Sequence, residues 1–438
     1  MADHDMSGNA PTPEDKRARL ARLLAERAAV LPPPPAHFIF PPDYDLVRKV
    51  RQFPPPLGIK GLFNRECDAT NGATAAVNGR ELINFSSYNY LGLSGDSDVA
   101  AAAKAAIDRY GTSVSASRLV SGQRPVHDDL ERAIAGFLGT EAALAFVGGF
   151  STNQTVVGHL FGPQDLIFQD SLIHASIQQG ARQSGATVIP FPHNNPEALD
   201  NILSQRRHEG RQALVVIEGV YSMDGDLPDL ARFVEIKRRH RALLMVDEAH
   251  SLGTVGMTGR GIGEYCGIDP AAVDIWMGTL SKALASCGGY IAGTRDLIDY
   301  LRLTVPGFVY SVGLPPADAA AALAALTKLR AEPERVHRLK ARARYFLHKA
   351  QGQGFDTGPS GDSPVVPVMT GDSRRAVHLS HLLFERGILA LPITYPAVPE
   401  QKARLRFFIS CDHSESQIDQ TIATLAACSE MLDRASAG

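Results

Sequence analysis

Leu243-Leu244-Met245-Val246-Asp247-Glu248-Ala249-His250 is a short apolar run closed by two acids and a histidine. Its length and composition are those of a buried strand, and the polar residues begin where the strand would end. Upstream, residues 213–218 form a second apolar run ending in the acid Glu218, and an amphipathic segment at 229–240 separates the two. Downstream, 273–278 and 289–293 continue the series. From about residue 84 the chain alternates short β-rich runs with helical segments. This predicts an α/β fold built on a mostly parallel sheet covered on both faces. Chemistry in such a sheet gathers beyond the carboxyl ends of the strands, where Glu218, Asp247 and Thr279 fall.

Asp247-Glu248-Ala249-His250 in isolation reads as a loop of solvated acids. A carboxylate closing an apolar strand is different, because a buried charge needs a cationic partner. About one strand-helix unit further on comes Thr279-Leu280-Ser281-Lys282. A lysine, a strand-end carboxylate and nearby hydroxyls are the parts of a pyridoxal phosphate (PLP) site. Lys282 can hold the aldehyde as a Schiff base, Asp247 can keep the pyridine nitrogen protonated, and Thr279 can reach the phosphate. His250, three residues after Asp247, can lie near the ring's phenolic oxygen. Gly148-Gly149-Phe150-Ser151-Thr152-Asn153 precedes a helical segment, and its glycines let backbone N–H groups approach an anion.

Composition narrows the class. At 438 residues the chain predicts a large domain with one or two smaller pieces. A formal charge of −3 gives no footprint for nucleic acid or an anionic membrane surface. The five cysteines are scattered, with no paired metal-ligand spacing. Neither a signal-peptide pattern nor an apolar run of membrane-spanning length is present, so the expectation is a reduced, cytoplasmic enzyme with no metal and no membrane span.

Thr12-Pro13-Glu14-Asp15 predicts a helix start, and Leu20, Leu23, Leu24 and Leu31 give it one apolar stripe beside Arg17, Arg19, Arg22 and Arg27. Proline runs at 32–35 and 54–56 end this helix and stiffen the chain beyond it. The division expected is 1–55, N-terminal helix and proline-rich arm; 56–330, PLP-binding large domain; 331–438, a smaller α+β C-terminal domain. The arm reads either as packing on its own subunit or as a docking or linker remnant of a multi-enzyme system.

Seven ordered stretches then resemble one family. They are Tyr88-Asn89-Tyr90-Leu91-Gly92, Ser117-Arg118-Leu119-Val120-Ser121-Gly122, Gly149-Phe150-Ser151-Thr152-Asn153, His174-Ala175-Ser176, Glu218-Gly219-Val220-Tyr221-Ser222-Met223-Asp224-Gly225, Asp247-Glu248-Ala249-His250 and Thr279-Leu280-Ser281-Lys282. Together they resemble the α-oxoamine synthases over about residues 55–435. The resemblance implies a fold-type I PLP enzyme, a homodimer with its active site at the subunit interface. It makes Lys282 the Schiff-base lysine and the base for the α-proton, and pairs Asp247 with the pyridine nitrogen. His250 and Ser222 would bond the phenolic oxygen, and His174 would stack on the ring. Gly149, Phe150 and Thr279 would bind phosphate. Arg406 matches the arginine for the substrate carboxylate, with Arg404 as the fallback. Several members carry an Asn-Asp pair where this chain has Tyr88-Asn89, a change similar to serine palmitoyltransferase-like sequences, and the two residues are expected at the substrate. Val312 stands where many relatives have a threonine that reaches the partner subunit's phosphate, so that hydroxyl contact is either missing or supplied by Ser311.

The reaction implied is a decarboxylative condensation of a small α-amino acid with an acyl thioester to an α-aminoketone, CO₂ and free thiol. Residues 276–290 look closest to the branch of polyketide and prodiginine-type pathways, so the acyl group is expected on an acyl carrier protein. The alternatives are an acyl-coenzyme A-dependent synthase of the biotin or sphingolipid type, and a catalytically silent partner subunit. Retention of Lys282, Asp247, His250 and His174 together argues against silence.

Overall fold

Residues 213–218, Ala-Leu-Val-Val-Ile-Glu, are buried at every position, as a central parallel strand requires. The computed structural model describes residues 65–437 together with short pieces at 14–15, 17–22, 40–41, 44–45 and 47–48. It separates two compact units, 1–59 and 60–438. In the first, 14–15 and 17–22 are helical, and Arg17, Arg19, Leu20 and Arg22 are exposed. Thr12, Pro13, Leu23, Leu24, Arg27, Leu31 and both proline runs lie outside the described residues.

In chain order the strands are β1 (Ala69–Asn71), β2 (Thr74–Val77), β3 (Arg80–Asn84), β4 (Ala142–Phe146), β5 (Leu166–Asp170), β6 (Thr187–Phe191) and β7 (Ala213–Glu218). Then come β8 (Leu243–Asp247), β9 (Ile275–Thr279), β10 (Gly289–Gly293), β11 (Val365–Met369), β12 (Ile388–Leu389), β13 (Leu391–Ile393) and β14 (Arg404–Phe408). Seven of them form the main sheet in the order β4-β10-β9-β8-β7-β5-β6. β5 through β9 pair in parallel, while β10 runs antiparallel to both β4 and β9.

The pleat divides this sheet between two cores. Leu144, Ile167, Leu214, Val216, Met245, Ile275, Met277 and Ile291 enter one, and their alternating neighbours, including Phe168, Val215, Val246, Trp276 and Tyr290, enter the other. Both faces are therefore covered, as the sequence pattern predicts. A third core joins Ile83 and Phe85 to Val366, Phe407, Ile418 and Leu425, so the segment around β3 packs with the C-terminal layer. That layer carries the three-stranded sheet β11-β14-β13, and β12 pairs in parallel with β3 in the sheet β1-β2-β3-β12. No described helix is long and apolar enough to cross a membrane.

Candidate active site

Each acid singled out in the sequence ends a strand. Glu218 closes β7, Asp247 closes β8, and the two are register partners. Thr279 closes β9, and Lys282 follows it by three residues. His174 caps the helix Ala175–Ser184 that follows β5, accepting from Ser176 N on its ring. Gly148 is the N-cap of the helix Gly149–Leu160 that follows β4. Parallel strands bring these ends to one edge of the sheet, and β14 supplies Arg406 from the C-terminal layer.

A cavity of about 230 Å³ results, lined by Tyr88, Gly149, Phe150, His174, Ser222, Asp247, His250, Thr279, Lys282 and Arg406 among others. Asn89 is not on its wall. That residue is buried, its side-chain carbonyl accepts from Ser94 N at 3.1 Å, and it lines an adjoining cavity of about 460 Å³ that shares Tyr88, Ser281 and Lys282. Ser311 lies apart from both, its hydroxyl donating to Val312 O at 3.1 Å. Arg404 is occupied elsewhere, in an ion pair of 2.6 Å with Asp224 and a hydrogen bond of 2.9 Å to Met223 O. Arg406 keeps its place in the cavity by donating to Ser222 O at 2.7 Å and stacking 4.5 Å from the centroid of Phe408.

Asp247 is the electrostatic centre. Its carboxylate, 4 % exposed, accepts from Asn153 Nδ2 at 2.8 Å and Ala249 N at 2.9 Å. Among the described residues no lysine, arginine or histidine lies within ion-pair distance of it. Asn153 uses its second amide proton on Ser176 Oγ at 3.0 Å, and Ser176 Oγ lies 2.7 Å from His174 Nδ1. One chain of hydrogen bonds thus ties the ring of His174 to Asp247. Burial, reinforced by the charge of Asp247, pushes the Glu218 carboxyl up to about 8, so it keeps its proton at neutral pH. Burial lowers the Lys282 amine from 10.5 to about 8, against the opposing pull of Asp247 and Glu218. Burial, with Lys282 and Arg406 adding to it, also holds His250 well below the usual histidine range.

Asn153, Ser176, Glu218 and Tyr90 are given no partner in the reading from sequence, which only places Glu218 at a strand end, although all four lie inside the quoted stretches. The signal for Glu218 is its strand-end acid. For the other three the signal is contact between distant segments, which no local pattern carries.

These residues fit PLP. A buried carboxylate lacking a cation is matched by a protonated pyridine nitrogen. At the other end a Cβ on Gly149 would come 2.8 Å from Thr279 Oγ1, so the helix N-terminus and that hydroxyl close on a cradle that only glycine permits. Lys282, Asp247, His174, His250, Ser222 and the Gly149–Thr279 cradle would hold the cofactor, which when bound supplies the electron sink for a carbanion at the amino-acid Cα.

Such a sheet and pocket define a PLP-dependent enzyme of fold type I. Comparison with known proteins narrows the class. The family model for aminotransferase class I and II matches residues 80–425. The 8-amino-7-oxononanoate synthase of Fervidobacterium nodosum is 41 % identical over 358 residues, 81 % of this chain and 90 % of that protein. The enzyme of the same name from Methylobacterium nodulans is 43 % identical over 357 residues, 82 % of this chain and 89 % of that one. Among solved structures, the serine palmitoyltransferase of Sphingomonas wittichii superimposes with a TM-score of 0.81 at 31 % identity, covering 94 % of this chain and 98 % of its own. An SPT solved with PLP superimposes with a TM-score of 0.82 at 29 % identity, over 95 % and 98 % of the two chains. The chain belongs to the aminotransferase class I and II family and, within it, to the PLP-dependent α-oxoamine synthases. It is an acyltransferase of that type. The narrower placement in a polyketide or prodiginine branch finds no support in these relatives.

Proposed function

We propose that this enzyme condenses a small α-amino acid with an acyl thioester of coenzyme A. The amino acid loses CO₂, its Cα bonds to the acyl carbon, and the thiol leaves, giving an α-aminoketone. The observation that carries the reading is the convergence of Lys282, Asp247, His174, His250 and Arg406 on one cavity beside a second that shares Lys282. Arg406, held by Ser222 O, offers its remaining N–H groups to the substrate carboxylate in the fork geometry that suits it. Lys282, whose amine burial lowers to about 8 so that more of it is unprotonated near neutral pH, would take the proton from Cα. With the cofactor bound, Asp247 would keep the pyridine nitrogen protonated, and the Asn153–Ser176 chain ties the ring of His174 to that carboxylate.

Coenzyme A replaces the expected carrier protein as the favoured donor. The relatives are 8-amino-7-oxononanoate synthases and serine palmitoyltransferases, which supports the biotin- or sphingolipid-type alternative over the specialised one. A second copy of the chain is supported by two touching segments that expose apolar side chains: Val120 at 81 % beside Leu119, and Tyr310 at 84 % beside Val312. Ser311 lies in this strip, where it would face a partner's phosphate rather than its own.

The test is a matrix of glycine, alanine and serine against matched acyl groups on coenzyme A and on a carrier protein. Free thiol and the aminoketone are read by mass spectrometry. Thiol release with a higher kcat/KM for the coenzyme A ester is expected. Amino-group transfer without thiol release would make the chain an aminotransferase, and a higher kcat/KM for the protein carrier would restore the carrier reading.

A further inference from the structure

The hydroxyl of Tyr90 lies 2.8 Å from Nδ1 of His250, a contact between residues 160 positions apart. Both side chains are buried. The imidazole stacks on Phe408, with ring centroids 6.1 Å apart and planes 11° from parallel, and meets Tyr88 and Tyr90 edge-on, so its plane is fixed. Nδ1 being engaged, Nε2 is the ring nitrogen left to serve the cavity that His250 lines.

A phenol carries one proton, and out of water that proton needs an acceptor. Among the described residues the Tyr90 hydroxyl makes one hydrogen bond, the one to His250. Were Nδ1 to carry a hydrogen, it would donate to the phenol oxygen and leave the phenol's own proton with no acceptor among the described residues. Only a bare Nδ1 satisfies both groups. Burial raises the Tyr90 hydroxyl well above 10, so it keeps its proton. Burial likewise lowers His250, and the charges of Lys282, Arg406 and His174 act in the same direction; Tyr88 and Tyr90 also meet the ring, and Asp247 and Glu218 line the same cavity. A neutral imidazole beside a neutral phenol is the stable pair.

We propose that Tyr90 is a positioning residue that holds His250 as the tautomer with Nδ1 bare and Nε2 protonated, so that the ring presents a fixed N–H donor to the anionic phenolic oxygen of PLP. The direction of that donor rests on the cofactor reading above, whereas the tautomer itself does not. An acceptor nitrogen aimed at an anionic oxygen would repel it, so a ring free to choose its tautomer would bind the cofactor less well.

The experiment uses the full chain labelled with ¹⁵N-histidine, as purified with PLP and again after PLP removal. His250 is assigned as the signal missing from His250→Gln. At pH 7 the expected spectrum shows a protonated Nε2 and an unprotonated, hydrogen-bonded Nδ1 in both states. The opposite tautomer or an imidazolium in either state overturns the proposal. Tyr90→Phe removes the hydroxyl at nearly constant shape; it should move the Nδ1 signal to that of an unbonded nitrogen and weaken PLP binding about tenfold. An unchanged His250 spectrum or an unchanged PLP affinity in that variant overturns it as well. If Tyr90→Phe does not fold, the wild-type spectrum still decides. Failure of wild type to bind PLP would sink the cofactor reading while leaving the tautomer measurable.

Discussion

Lys282 carries an amine that burial lowers from 10.5 to about 8. Only the neutral amine attacks an aldehyde, so capture of PLP by PLP-free protein should quicken as pH rises and level off above about 8. Between about 8 and 10.5 the unfolded chain binds more protons at this lysine than the folded one, so stability of the PLP-free protein rises with pH across that window. Lys282→Met should remove that rise, read as Tm against pH, and should lose all covalently reducible PLP. Asp247→Asn keeps the shape but not the charge. Turnover should drop roughly a hundredfold or more while PLP still binds, because a neutral amide cannot hold the proton on the ring nitrogen. Near-native turnover would exclude Asp247 as that partner. Arg406→Ala should raise the amino-acid KM with PLP affinity unchanged, since the guanidinium reaches the cavity from β14 and touches Ser222, not the Gly149–Thr279 cradle. Lost PLP with normal KM would move Arg406 to a different task.

At the scale of elements, the site depends on how closely the helix Gly149–Leu160 approaches the end of β9. Alanine at Gly149 suits a helix but puts its Cβ 2.8 Å from Thr279 Oγ1 and 3.0 Å from Thr279 Cβ. That contact is with a short, β-branched side chain, itself bonded to Gly288 O at 3.0 Å and Ser281 Oγ at 2.6 Å, so it cannot swing away freely. Gly149→Ala should therefore widen the cradle and weaken PLP binding by about tenfold or more, measured as Kd, with the fold retained. Unchanged affinity would show that the helix end does not hold the phosphate. Several strands are legible in the sequence. Residues 213–218, 289–293 and 365–369 are short apolar runs with residues of low strand preference at their borders, and their limits in the structure are those of the pattern. The direction of β10 is not legible, since a five-residue run looks the same from either end and only its pairing with β4 and β9 makes it antiparallel.

On the scale of the whole molecule, the exposed strip of Leu119, Val120, Tyr310 and Val312 should be covered by a second copy. Light scattering is expected to give at least twice the chain's mass, and Val120→Asp with Tyr310→Asp should shift it toward the monomer and lower activity. A fully active monomer would refute the assembly. Local pattern was enough for the class: apolar runs ending in Glu218, Asp247 and Thr279, with Lys282 behind them, specify a parallel sheet and the chemistry at its edge, because strand burial and strand-end acids are local properties. It took the folded chain to pair Arg404 with Asp224, to join Asn153 to Asp247 across 94 positions and Tyr90 to His250 across 160, and to pack Ile83 and Phe85 with the C-terminal layer. Those outcomes depend on which buried polar group finds which partner once the strands have stacked, and a hydrogen bond between distant segments leaves no periodicity in either of them.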